Sequence, residues 1–229
     1  MIVALIPGFN EAPRIAAVID AARAHLPVLV VDDGSTDGTG GRAREAGATV
    51  IEQRPNQGKG AALRAGFRQA LADGADAILT LDADGQHDPA EIPRFLDAWA
   101  TVPSDQEPRP DLVIGQRSFR SMPAIRRLSN ELGGRAFSWA VGRDIPDNQS
   151  GYRLVSRALA QATLASDEPG FAFEVEQITT CIRMGGTIAW VPIRTIYAGA
   201  PSHIKPLAHL REFIRIVRQA RRDVRTPLG

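Results

Sequence analysis

Asp82 and Asp84 stand two residues apart at the end of an apolar run, Ile78-Leu79-Thr80-Leu81, and are followed by Gly85-Gln86-His87-Asp88-Pro89. The run reads as a buried strand. On an extended backbone an i, i+2 spacing puts both carboxylates on one face. Gln86 adds an amide oxygen two residues on. Hard oxygen donors grouped in this way suit Mg²⁺ or Mn²⁺, which often sit between protein carboxylates and a substrate's phosphates. The chemistry implied is the handling of a phosphorylated substrate at the C-terminal edge of a sheet. A D-x-D triplet is common by chance, and its position at a strand end is what gives it weight.

Strand-like and helix-like runs alternate through the first half of the chain. Residues 2–6, 28–31, 49–52, 77–81 and 111–115 read as strands. Residues 12–25 are amphipathic with Asn10 as a cap, a helix capped by Ser35 or Thr36 ends near Gly47, residues 57–73 are helical, and Pro89 opens a further helix. This spacing argues for an α/β fold with a mostly parallel sheet covered on both faces, and ligands of such sheets bind beyond the carboxyl ends of the strands. Those ends carry residues 7–11, 32–35, 82–86 and 115–117. The second half is less regular: 122–141 reads as a long helix, 147–153 as a polar loop, 171–184 as a helix, 188–196 as a strand and 207–225 as a final helix.

The 229 residues can build a full core, and a net charge of +1 argues against a nucleic-acid partner held by charge alone. The charge is uneven. Seven basic residues from Lys205 to Arg225 face only Glu212 and Asp223, so that segment is net +5 and the remainder net −4. The single cysteine, Cys181, fits a reducing cytosol and reads as a small core residue. Neither a signal peptide nor an apolar run near the roughly 20 residues of a spanning helix is visible. The expectation is a cytoplasmic protein that meets a membrane, if at all, peripherally.

Four motifs occur in order: Pro7-Gly8-Phe9-Asn10-Glu11; Val31-Asp32-Asp33-Gly34-Ser35-Thr36-Asp37-Gly38-Thr39; Asn56-Gln57-Gly58-Lys59-Gly60-Ala61-Ala62; and Asp82-Ala83-Asp84-Gly85-Gln86-His87-Asp88-Pro89. Together they resemble family 2 glycosyltransferases with the GT-A fold, and more closely the branch that mannosylates or glucosylates dolichyl or polyprenyl phosphate. Asp147-Asn148-Gln149-Ser150-Gly151-Tyr152-Arg153, Phe173-Glu174-Val175-Glu176 and Pro201-Ser202-His203-Ile204-Lys205-Pro206 extend the match, which covers nearly the whole chain. Phe9 and Ala12 depart from the family's usual Tyr and acidic residue. The resemblance implies one GT-A domain over 1–229, with a nucleotide-sugar half at 1–117, an acceptor half at 118–206 and an amphipathic helix at 207–225. It implies an inverting, metal-dependent transfer of mannose or glucose from a GDP- or UDP-sugar to a polyprenyl phosphate.

By the same resemblance Asp82, Asp84 and Gln86 hold Mg²⁺ or Mn²⁺, and Pro7, Phe9, Glu11, Val31, Asp33 and Ala83 line the donor. Plain core is the alternative for Phe9. Lys59 faces either the nucleotide or solvent, and its Lys-Gly sequence is not a P-loop. Arg117, Arg126 and Ser129 are candidates for the acceptor phosphate, in a stretch where arginine suits bidentate phosphate contacts. The choice between Arg126 and Arg127 is open. Lys205 is placed to reach the donor diphosphate. A phosphate acceptor requires no base, whereas a hydroxyl acceptor does, and Asp147 is the candidate. His87 reads as support for its loop, and Glu174 and Glu176 as structural. Leu207, Leu210, Phe213, Ile214, Val217, Ala220 and Val224 form an apolar stripe beside arginines, the composition of an interfacial helix on an anionic membrane surface. Packing on the domain, or on a partner helix in a homodimer, is the alternative.

Overall fold

The computed structural model describes residues 1–101, 109–117, 124–170, 172–194 and 206–224, with the side chains of 124–132 and 206–213 outside the description. The elements run β1 (Ile2–Gly8), α1 (Ile15–Arg23), β2 (Val28–Asp33), α2 (Thr39–Glu45), β3 (Thr49–Gln53), α3 (Lys59–Ala72) and β4 (Ala77–Thr80). A 3₁₀ turn (Pro89–Glu91) then leads into α4 (Ile92–Ala100), β5 (Leu112–Arg117) and α5 (Ala124–Val141). The chain continues through β6 (Arg153–Ser156), α6 (Arg157–Thr163), α7 (Ala172–Arg183), β7 (Ile188–Ile193) and α8 (Pro206–Asp223). One seven-stranded sheet, in the order β3-β2-β1-β4-β6-β5-β7, unites both halves of the chain.

The near-continuous apolar runs of β1, β2 and β4 follow from burial on both faces. Alternate residues serve opposite cores. Leu5, Leu29, Val31 and Ile78 join a core shared with α3, α6 and α7, while Ala4, Ile6, Val28, Val30 and Leu79 join one shared with α1 and α4. Helix α3 lies close on β1 because Gly66 has no side chain: a Cβ there would overlap that of Leu5.

Every pair among β1 to β4 is parallel, but β6 is antiparallel to both β4 and β5, so the sheet is mixed. The sequence reads as a polar loop over 147–153, with no strand signal after it. Four residues directly after a polar loop carry too little periodicity to announce themselves. Two expected caps are also corrected. Helix α1 begins at Ile15, with Asn10 in a left-handed conformation (φ 56°) well before it. Helix α2 begins at Thr39 after Gly38, beyond Ser35 and Thr36.

Helix α8 packs on α5 and α7. Its Ala220 is buried, and Ile216 and Val224 rest against the core, whereas Ile214 is exposed. Of the stripe, Ala220 and Val224 are therefore used by the protein itself, in line with the alternative that it packs on the domain, and Ile214 is not. The side chains of Leu207, Leu210 and Phe213 lie outside the described residues. Trp139 on α5 is exposed, with the Arg221 guanidinium 3.6 Å over its ring. No described helix is long and apolar enough to cross a membrane.

Cys181 is buried in α7, and burial pushes its thiol up to about 12, with Asp111 adding to the shift. The thiolate is the reactive form. The folded protein at pH 8 is therefore expected to resist an alkylating reagent that labels Cys181 rapidly in urea, which mass spectrometry of the labelled peptide would read.

Candidate functional site

The C-terminal ends of β1 and β2 are joined by a set of side-chain-to-backbone hydrogen bonds. The Asn10 N–H donates to Ser35 Oγ (2.9 Å), and Asn10 Oδ1 accepts from the Thr36 N–H (2.9 Å). The Glu11 N–H donates to Thr39 Oγ1 (2.8 Å) and the Ala12 N–H to Asp37 Oδ2 (3.0 Å). Such bonds satisfy loop amides that have no sheet partner. Glu11 itself pairs with Arg14 at 2.9 Å. Pro7 is half-buried, Val31 and Ala83 are buried, and Phe9 is 49% exposed, so the core alternative for Phe9 falls.

Asp33 is buried with both oxygens occupied, Oδ1 by the Gln57 N–H and Oδ2 by the Gly58 N–H, each at 2.8 Å. It thereby holds the loop that leads into α3. That helix opens with Lys59, whose Nζ lies 2.6 Å from Asp82 Oδ1 and 2.9 Å from Glu174 Oε1. Of the two alternatives for Lys59, solvent is the one removed: its side chain is 18% exposed. Burial opposes its charge, but the two carboxylates outweigh burial and raise its pKa. Burial likewise opposes the Asp82 charge, and Lys59 leads the groups that bring it down to about 2. The three groups form one ion triad drawn from α3, β4's end and α7.

Asp84 accepts the Gln86 N–H at 2.9 Å, and Gly85 turns the loop with φ at 76°. His87 is buried, and its Nδ1 accepts the Asp82 N–H at 3.0 Å, which requires that nitrogen to be unprotonated. Burial lowers its pKa and favours that form. The His87 ring lies 5.1 Å from that of Tyr152, which in turn stacks on Phe95 at 4.3 Å. The expectation that His87 supports the loop agrees with this geometry. Asp82, Asp84 and Gln86 offer hard oxygen atoms of the kind Mg²⁺ or Mn²⁺ takes, and a Cβ on Gly151 would come 2.9 Å from Asp82 Oδ2. Among the described residues no three His, Cys, Asp or Glu side chains form a ready-made metal cluster. The donor oxygens of Asp82, Asp84 and Gln86 suit a divalent cation.

Arg117, at the end of β5, makes a two-pronged contact with Asp147: Nε to Oδ2 at 2.7 Å and Nη2 to Oδ1 at 2.8 Å. Asp147 is buried and also accepts the N–H groups of Arg117, Gln149 and Ser150, each at 3.2 Å. A carboxylate so occupied has its lone pairs taken up and orients the guanidinium. The 147–151 loop is held from beneath by Arg153, fully buried, which donates to the carbonyls of Ser150 (2.6 Å), Asn148 (3.1 Å) and Glu174. Lys205 lies outside the described residues, as do the side chains of Arg126 and Ser129.

Sequence reasoning assigned no site role to Glu174 or Arg153. The signal for Glu174 was present in Phe173-Glu174-Val175: an acid within an apolar helix start needs a buried cation. Lys59→Met should strand the Asp82 and Glu174 carboxylates near each other and cost on the order of 3 kcal/mol. Adding Glu174→Gln should return much of that loss in urea denaturation. No recovery in the double variant would mean the triad is not the cause.

The family model for glycosyl transferase family 2 matches residues 3–162. An undecaprenyl-phosphate mannosyltransferase of Micrococcus luteus is 31% identical over 210 residues, covering 84% of this chain and 82% of that protein. A polyprenol monophosphomannose synthase of Mycolicibacterium smegmatis is 31% identical over 205 residues, covering 82% of this chain and 75% of that protein. Among solved structures, glucosyl-3-phosphoglycerate synthase of Mycobacterium tuberculosis in complex with Mn²⁺, uridine diphosphate and phosphoglyceric acid superposes with a TM-score of 0.72. It covers all of this chain and 80% of its own length at 24% identity, a likeness of fold. The ordered motifs, the mixed GT-A-like sheet and these matches agree: the chain belongs to glycosyl transferase family 2.

Proposed function

We propose that the chain transfers a hexose, mannose or glucose, from a GDP- or UDP-sugar to a polyprenyl phosphate with inversion. The observation that carries this reading is the juxtaposition at one sheet edge of the Asp82–Asp84 pair with Arg117, pre-oriented by Asp147. An oriented guanidinium suits a phosphate. The matches to a polyprenol monophosphomannose synthase and an undecaprenyl-phosphate mannosyltransferase point to the same acceptor class.

In this reading Pro7, Phe9, Glu11, Val31 and Ala83 line the donor nucleoside, and Asp33 acts by holding the loop at Gln57 and Gly58. Phe9 offers an exposed ring face to the base. Asp82, Asp84 and Gln86 would hold Mg²⁺ or Mn²⁺, which when bound offsets charge on the leaving diphosphate. Lys59 fixes Asp82 as a carboxylate. Arg117, with Arg126 and Ser129, takes the acceptor phosphate, and Lys205 contributes a cation towards the diphosphate. The acceptor is already anionic near neutral pH, so positioning and charge replace a general base. The occupied lone pairs of Asp147 favour this acceptor over a hydroxyl. Residues 1–117 serve the donor and 118–206 the acceptor. The exposed arginines of α8, Arg215, Arg218 and Arg222, suit an anionic membrane surface on the cytoplasmic side, and self-association into a homodimer is the competing use of that face.

Asp84→Ala is expected to lower turnover by at least a hundredfold while leaving the melting temperature nearly unchanged, and a chelator should do the same to the parent protein. Near-parental rates in saturating Mn²⁺ would remove Asp84 from the metal. Arg117→Ala should raise the apparent KM for a short polyprenyl phosphate at least tenfold and that for the donor little. A change confined to the donor would move Arg117 to the nucleotide side. A panel of GDP- and UDP-hexoses against that acceptor tests the reading as a whole, and transfer only to hydroxyl acceptors would overturn it.

A further inference from the structure

We infer that Glu168 is a positioning residue that couples helix α8 to the Lys59 ion triad. It sits in the connection between α6 and α7, which the sequence reading left without a role. Its Oε2 pairs with Arg215 Nη2 on α8 at 3.3 Å. Its Oε1 accepts the Gly170 N–H at 3.2 Å and so closes the short loop on itself. The Glu168 N–H donates to Ser166 Oγ (3.1 Å), and that hydroxyl donates to Glu176 Oε2 on α7 (2.6 Å). The loop is thus fastened to both C-terminal helices.

The backbone of the same loop meets the first turn of α3. The Glu168 carbonyl accepts from Arg64 Nη1, and the Pro169 carbonyl accepts the Gly60 N–H at 2.8 Å. The fit is close on either side of Lys59. A Cβ on Gly58 would stand 2.5 Å from the Pro169 carbonyl oxygen, and one on Gly60 would collide with that of Glu168. Lys59, between these two glycines, reaches Asp82 and Glu174. A shift of the loop must therefore move the backbone that carries Lys59, because close-packed contacts transmit displacement rather than absorb it. Its effect on the donor rests on the glycosyl-transfer reading above, whereas the coupling itself does not.

Arg215→Glu, Arg215→Lys and Arg218→Glu in the full chain test this. Arg218 makes the same charge change on the same helix but lies outside the pair. Ligand-free hydrogen exchange of the 57–63 amides reads the coupling, and titration of Mn²⁺ with UDP or GDP reads its consequence, both without lipid. Arg215→Glu is expected to speed exchange at 57–63 and to weaken nucleotide binding about fivefold, the scale of a surface ion pair. Arg215→Lys should behave as the parent on both readouts, as should Arg218→Glu. Parental exchange in Arg215→Glu, or equal changes in Arg218→Glu, would overturn the inference. If the parent protein binds neither nucleotide, the donor reading fails while the exchange data still decide the coupling.

Discussion

The ion triad of Lys59, Asp82 and Glu174 is the interaction on which the site depends. It draws one group each from the first turn of α3, the end of β4 and the start of α7, elements far apart in sequence. Two carboxylates this close would repel each other without the ammonium between them. With it, Asp82 remains ionised beside Asp84, and the loop that carries both is tied to the second half of the chain. Glycine at 151 is required for the same reason, since a Cβ there would lie within 2.9 Å of all three groups.

A second layer of polar contacts keeps this arrangement rigid. Arg153, the first residue of β6, gathers the carbonyls of Asn148, Ser150 and Glu174, and so binds the 147–151 loop to α7. Because β6 runs against its neighbours, its first residue, and not its last, lies near the edge that carries Asp82 and Asp84. That reversal lets a loop enter the edge and be anchored by the strand that follows it. Arg117 then receives its orientation from Asp147 in that loop. The guanidinium at the end of β5 is held from a segment 30 residues further along the chain.

Much of this was legible in the sequence, for identifiable reasons. The strands β1, β2 and β4 are buried on both faces, so their apolar runs stood out, and the polar groups at their ends fell at one edge. His87 read as support for its loop, and its ring nitrogen does accept the Asp82 N–H. What the sequence concealed was pairing across long separations. Lys59 read as open between two environments because nothing local shows that Asp82 and Glu174 converge on it. Asp33 read as one of the residues lining the donor, yet both its oxygens are spent on amides 24 and 25 residues away. The amphipathic pattern of 207–225 was evident, but periodicity alone does not distinguish a face that meets lipid from one that meets protein.

That last point bears on how the molecule can meet any surface. Ala220, with Ile216 and Val224 beside it, completes the core shared with α5 and α7. A helix fastened in this way cannot swing out on a hinge, because doing so would open the interior to water. Whatever α8 rests on, the entire body rests on, in one attitude. The direction in which the Asp82–Asp84 edge points is then a property of the folded domain, set before contact and not adjusted by a leash.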